Sequence, residues 1–361
     1  MKHRSISFLA ALAAVVWLGG SSSGFAQGAA NIVWEAPTPN GLANSIVGVG
    51  WAPGPSGQVA MGSTDRWLRT RRAADGQLIY SILGPQHSRG GDQTIYSTDG
   101  TLLAVHNLNS GLNYRVYRAV DGVWLGTILV TIDSAGLVQF APDAQLQSSL
   151  RSGGIMDRWR IEEFTVISTI GSGYAVTTTT FNFSPDRGYQ AAATGGTISI
   201  QSRTSGSIVG SFAGGAARGS TPMAFTPKSS AIAAWEADSD ATILRSVPHG
   251  ETLMRFPDAV TNEGISAIGL SPDGTSLVTT GYLPFETANG WEQKGIVRFW
   301  RVADGMLLRQ FDQHTGIAVT SAIAWSPDAK QFIYGTYEGT VVVALSPVPN
   351  PNIWRLPWER G

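Results

Sequence analysis

Leu270-Ser271-Pro272-Asp273-Gly274, answered 55 residues later by Trp325-Ser326-Pro327-Asp328, decides how this chain folds. The phrase is an apolar or aromatic residue followed by Ser/Ala/Thr-Pro-Asp-Gly or a decayed form of it. Earlier copies are Trp51-Ala52-Pro53, Tyr96-Ser97-Thr98-Asp99-Gly100, Phe140-Ala141-Pro142-Asp143, Phe183-Ser184-Pro185-Asp186 and Phe225-Thr226-Pro227. Measured at the proline position, with Thr98 in the second copy, the steps are 45, 44, 43, 42, 45 and 55 residues. Proline presets the first corner of a turn, aspartate bonds back to the amides that follow, and glycine accepts a positive φ. Each copy therefore reads as a tight turn between two strands. A small-residue alternating segment precedes it, as in Ser321-Ala322-Ile323-Ala324-Trp325, and an apolar strand follows, as in Gln331-Phe332-Ile333-Tyr334.

A second mark punctuates the units at Ala74-Asp75-Gly76, Val120-Asp121-Gly122, Thr204-Ser205-Gly206, His249-Gly250 and Ala303-Asp304-Gly305. It separates two more strand-like runs, such as Ile296-Val297-Arg298-Phe299-Trp300 and Met306-Leu307-Leu308-Arg309-Gln310-Phe311. Four strands per unit of about 44 residues match the period of a propeller blade. A lone four-stranded sheet leaves its apolar faces wet, so seven twisted units stack face to face and close into a ring. Composition agrees: 43 glycines among 361 residues, 14% charged residues and no long amphipathic pattern indicate an all-β chain.

The stretch from Gly264 to Leu345, with Val297-Arg298-Phe299-Trp300-Arg301 and His314-Thr315-Gly316 beside the two turns, resembles two consecutive WD40 repeats. Five weaker copies precede them, and the likeness extends over about residues 45–347. It implies a seven-bladed β-propeller with four-stranded antiparallel blades, the last blade closed by the N-terminal strand. Asn31-Ile32-Val33-Trp34-Glu35 fits that closing role, and Asn352-Ile353-Trp354-Arg355-Leu356 competes for it. The position that holds the family's strand tryptophan is filled by Arg71, Tyr117, Trp159, Gln201, Arg245, Trp300 and Ala344 in turn, and no copy carries the aspartate that should follow. His314 stands where the family's loop histidine would be, and Glu338 stands in for its hairpin aspartate.

Lys2, His3 and Arg4, the apolar run from Phe8 to Leu18 and a serine-rich segment read as a secretory signal peptide over residues 1–26. Gly24 and Ala26 place the mature start near Gln27, with Ala30 as the alternative. The propeller then spans 27–347, and 348–361 form a Pro/Trp-containing tail. The expected location is periplasmic or extracellular. No cysteine is present, which excludes disulfides, thiolate metal sites and a lipoprotein anchor. A formal net charge of -1 provides no global attraction to nucleic acid or anionic lipid. No second apolar stretch reaches transmembrane length.

No catalytic, cofactor or metal site is read. His87, His106, His249 and His314 fall in four different units without metal spacing. Glu236, Asp238 and Asp240 lack the glycine and distal glutamate of a calcium loop and read as a solvated hairpin tip. Arg66, Arg69, Arg71 and Arg72 read as a solvated strand rim, against an anion site. The informative irregularity is the sixth step, where the excess falls at Tyr282 to Lys294, between the second and third strands. In the resembled family that loop opens on the usual partner-binding face. Tyr282, Phe285, Glu286 and Trp291 are the candidate partner-binding residues, because aromatics in a loop without a core are common interface anchors. The alternative is that they fold back over the neighbouring blade. The expectation is a non-enzymatic module for a protein or peptide; a lactonase-like hydrolase with residues converging on the channel, or a glycan-binding propeller, are the competing readings.

Overall fold

The computed structural model describes residues 31–38, 44–84, 94–107, 113–129, 138–140, 146–151, 155–171, 178–194, 196–214, 222–236, 239–257, 264–287, 290–313, 319–336 and 338–347. Those residues form seven four-stranded antiparallel sheets, the blade count and blade make-up expected. Each of the first six sheets uses four consecutive strands. Their inner strands are Ile46–Trp51, Thr94–Tyr96, Val138–Phe140, Thr178–Phe183, Met223–Phe225 and Gly264–Leu270, and each runs into a copy of the turn phrase. The seventh sheet takes Val319–Trp325, Gln331–Thr336 and Thr340–Leu345 from the end of the chain and Ile32–Pro37 from its start, the last pairing antiparallel with Thr340–Leu345. Its inner strand touches those of both the sixth and the first sheets.

The core lies between the sheets. Each apolar cluster joins residues of two successive sheets: Ala104, Tyr114 and Ile128 meet Phe140 and Trp159, while Val278 and Phe299 meet Phe332 and Tyr334. The cluster of Val59 and Met61 joins them to Ile333, Val343 and Trp34 of the seventh sheet. Among the described residues each cluster thus lies between neighbouring sheets, and none is confined to a single sheet.

The turn phrase owes its recurrence to a repeated hydrogen-bond set. Ser271 Oγ donates to Asp273 Oδ1 at 2.5 Å and accepts the Ser276 amide at 2.9 Å, and the Thr275 amide donates to Asp273 Oδ1 at 3.0 Å. Ser97, Ser184 and Ser326 repeat the arrangement. The turn also requires a left-handed residue, Gly100 at φ 73° and Gly274 at φ 72°. Ala329 occupies that position at φ 59°. A β-carbon there costs roughly 1–2 kcal/mol, part of which glycine returns through a freer unfolded chain. Ala329→Gly is therefore expected to stabilise the protein by about 0.5–1 kcal/mol, read as a rise in urea midpoint at unchanged m-value.

Outer strands share one device. Every one carries a bulge opposite the third strand: Leu78 pairs with Arg71 and Tyr80 with Thr70, which leaves Ile79 extra. The N-terminal strand has the same bulge, with Ile32 opposite Ala344 and Trp34 opposite Val343. The residue after the bulge reaches the next blade. Tyr80 Oη donates to Ala119 O at 2.8 Å and covers Gly122, where an added Cβ would lie 2.7 Å from the ring. Trp34 repeats this on the first blade, with Nε1 donating to Ala73 O at 2.7 Å and the ring 2.7 Å from a Cβ added at Gly76. Between the second and third blades the sizes are exchanged: Gly126 follows the bulge, and Phe164 fills the turn position at φ 51°. A Cβ on Gly126 would lie 2.4 Å from the Phe164 ring.

The departures from the repeat have a local cause. Where a tryptophan is missing, Arg71, Gln201 and Arg245 each donate to the carbonyl of their own turn glycine, Gly76, Gly206 and Gly250, at 2.7, 2.6 and 3.0 Å. Trp300, which keeps the tryptophan, donates from Nε1 to Thr279 Oγ1 at 3.1 Å. A long polar side chain can thus brace the same turn.

Candidate functional site

The sixth blade departs from its neighbours. Its second and third strands, Ser276–Thr287 and Gly290–Arg301, have 12 residues each, whereas those of the other blades have six. Their register is unbroken from Ser276 opposite Arg301 to Thr287 opposite Gly290. The inner strand pairs only as far as Tyr282, opposite Gly264, and the outer strand Leu307–Gln313 only as far as Gly295. Beyond that row, among the described residues, the two long strands continue as a two-stranded ribbon, Leu283 opposite Lys294, Pro284 opposite Gln293, Phe285 opposite Glu292 and Glu286 opposite Trp291. Five rows at about 3.3 Å each carry it roughly 17 Å past the sheet.

The four sequence candidates fall on the two long strands of this hairpin. Tyr282 stands in the last row of the four-stranded sheet, while Phe285, Glu286 and Trp291 stand in the free rows. The insertion lies between the second and third strands, where the sequence placed it, but it is paired strand to within two residues of its tip. The sequence alone has the excess lengthen a loop, and the structure makes it paired strand. Pro284 is tolerated because a two-stranded ribbon has edges on which a missing N–H breaks no ladder. The ribbon points to the end of the molecule opposite the Ser-Pro-Asp turns.

Two buried ion pairs correct the reading of the charged clusters. Arg69 is 6% exposed and its Nη2 lies 2.6 Å from Asp65 Oδ2, with Nη1 donating to Ser63 Oγ at 3.0 Å. Arg71 is turned to Gly76, and exposed Arg72 pairs with Asp75. The solvated-rim reading therefore holds for Arg72 and fails for Arg69. Asp65 lies in the turn just ahead of the strand, which draws Arg69 inward. Glu236 likewise is buried at the end of its strand and accepts from Arg245 Nε at 2.7 Å and Ser239 Oγ at 3.2 Å, in place of a solvated tip. Asp240 occupies the turn at φ 44°, and Asp238 lies outside the described residues. Glu338 stands in the turn between the second and third strands of the seventh sheet.

Burial pushes the Asp65 carboxyl upward, but hydrogen bonds from Arg69, Ser63 and the Trp67 amide outweigh it and hold the group below the usual carboxylate value. Its folded pKa is depressed, so its contribution is complete above roughly pH 4 and fades as pH falls through the folded value. Asp65→Asn leaves the buried Arg69 charge unpaired and is expected to cost about 3–5 kcal/mol at pH 7. Urea unfolding between pH 7 and pH 2.5 checks this: the parent should lose stability below pH 4 more steeply than the variant, and parallel pH profiles would rule it out.

His106 lies in the second strand of the second sheet and His249 in a turn of the fifth; His87 and His314 lie outside the described residues, as do the signal segment and the C-terminal tail. Among the described residues no three His, Asp or Glu gather as a metal site, and no helix is long and apolar enough to cross a membrane. The buried pairs were missed because opposite charges four or nine residues apart in a strand chain give no periodic signal. No known protein-family model matches the chain.

Proposed function

We propose that this chain is an exported, degenerate WD40-type propeller that binds a protein or peptide through the ribbon of its sixth blade. The observation that carries the reading is the ribbon itself. Among the described residues the second and third strands of the other blades have six residues each, and this pair extends five paired rows beyond its sheet. Extra ordered structure at one repeat of a regular array is the place where such proteins acquire specificity. Phe285, Trp291 and Tyr282 supply large groups of the type that anchors interfaces, and Glu286 and Glu292 are charged residues next to them in sequence. The same proposal takes the strand Ile32–Pro37 as the closing strand of the ring, and residues 1–26 as the signal that directs export.

A chain in which 283–294 are replaced by a short Gly-containing turn is the test. The ribbon lies outside the four-stranded sheet, so the melting transition should stay within a few degrees of the parent. A photo-crosslinking residue at 285 or 291 should capture one discrete partner from an exported fraction, and the shortened chain should compete at least tenfold less well for it. Equal competition by the two chains would transfer the binding role away from the ribbon.

A further inference from the structure

Among the described residues the outermost strand of each blade pairs on one side only, and the seven differ in how that edge is protected. Natural edge strands carry charges or prolines that deter pairing with another chain. Three do so here: Thr252–Pro257 has Arg255 and Pro257, Leu307–Gln313 has Arg309 and Asp312, and Ile32–Pro37 has Glu35 and Pro37. The other four are Leu78–Leu83 (LIYSIL), Trp124–Leu129 (WLGTIL), Thr165–Gly171 (TVISTIG) and Ile208–Ala213 (IVGSFA), and none holds a single charge or proline. Among the described residues the first blade exposes three large apolar side chains on this strand, Leu78, Ile79 and Leu83 at 46, 43 and 47%, against two on the second, Trp124 and Leu125 at 61 and 40%, and two on the fourth, Ile208 and Val209 at 51 and 38%.

We infer that the outer strand of the first blade, Leu78–Leu83, receives an extended peptide segment as a fifth strand. Backbone hydrogen bonds along the free edge would supply affinity, and the exposed side chains would select apolar and neutral residues. Charge narrows the occupant. The six edge residues are uncharged, so a charged residue opposite them would lose solvation without a partner. At the far end the Gly84 amide donates to Arg66 O at 2.7 Å, which places Arg66 beside the end of the strand, and Arg66 makes no ion pair among the described residues. An added strand that runs antiparallel, as every pair here does, has its N-terminal end beside Leu83 and Arg66. The segment therefore begins with a carboxylate that meets Arg66 and continues with about six uncharged, largely apolar residues.

Area separates a peptide from a second copy of this chain. Two rigid propellers joined edge to edge would share about 20 Å of strand and bury on the order of 400 Å², against the roughly 1,200 Å² of a stable dimer. A flexible segment is not so limited, because it follows the twist of the strand and folds its side chains over both faces.

The probe is a fluorescein-labelled peptide of alternating valine and threonine, six residues long, preceded by two aspartates, with a twin preceded by two lysines. Anisotropy titration of the full chain should show saturable binding of the acidic peptide and at least fivefold weaker binding of its twin. Ile79→Lys should weaken binding at least tenfold, Val209→Lys on the fourth blade should leave it within twofold, and exchange of the 78–83 amides should slow on binding. Both replaced side chains are exposed; if Ile79→Lys melts early, Leu83→Lys takes its place. Equal binding by Ile79→Lys and the parent overturns the proposal, as does equal loss with Val209→Lys. Sedimentation of the parent as a dimer that Ile79→Lys dissolves would overturn it in favour of a second copy.

Discussion

A chain lacking residues 31–37 is expected to lose its cooperative unfolding transition. The deletion strips Thr340–Leu345 of its outer neighbour and removes Trp34 from the cluster that joins the seventh sheet to the first. Loss of a buried tryptophan costs about 3–5 kcal/mol. The backbone bonds of a six-residue strand add several more at about 0.5–1.5 kcal/mol each. That total is comparable with the roughly 5–15 kcal/mol by which a native domain is stable. Differential scanning calorimetry checks it, with the peptide 27–38 added back in trans at increasing concentration to restore the transition. A parent-like transition without the strand would assign the edge to Asn352-Ile353-Trp354-Arg355-Leu356 instead.

The second large effect is expected where the second blade meets the third. Gly126→Tyr alone drives a ring into Phe164, and Phe164→Gly alone leaves the space over Gly126 empty. Each should cost about 3–4 kcal/mol, the first through overpacking and the second through a cavity. Made together they restore the arrangement of Tyr80 over Gly122, and relieve the φ of 51° at position 164. The double variant should recover at least 2 kcal/mol of the summed loss in a urea double-mutant cycle. Strict additivity would show that the two positions are not exchangeable halves of one contact.

Much of this fold was legible because its turns are written in residues whose chemistry is local. Ser271, Asp273 and Gly274 satisfy one another within five residues, so their spacing reports strands directly. Contacts between blades have no such signature. Trp34 and Ala73 are 39 residues apart, as are Tyr80 and Ala119, and nothing in either neighbourhood announces the other. The long sixth step indicated only extra residues between two strands, whereas pairing across the hairpin made a ribbon. Arg69 looked solvated because charge is normally at the surface, and its partner in the preceding turn changed the balance. The position of the candidate site was readable from one long step between turns, but its shape depended on register.

The pairing of Ile32–Pro37 with Thr340–Leu345 also fixes how the molecule responds to tension. Ile32 lies opposite Ala344, and the Leu345 amide donates to Asn31 O at 2.8 Å, so both chain ends leave from the same end of one antiparallel ladder. A pull on the two termini therefore loads the rungs one at a time, from Ile32 towards Pro37, and peels the strand instead of shearing it. The protein is weakest to force along the one direction in which its own ends are drawn apart, and a handle placed at Thr38 instead of Asn31 would load every rung together.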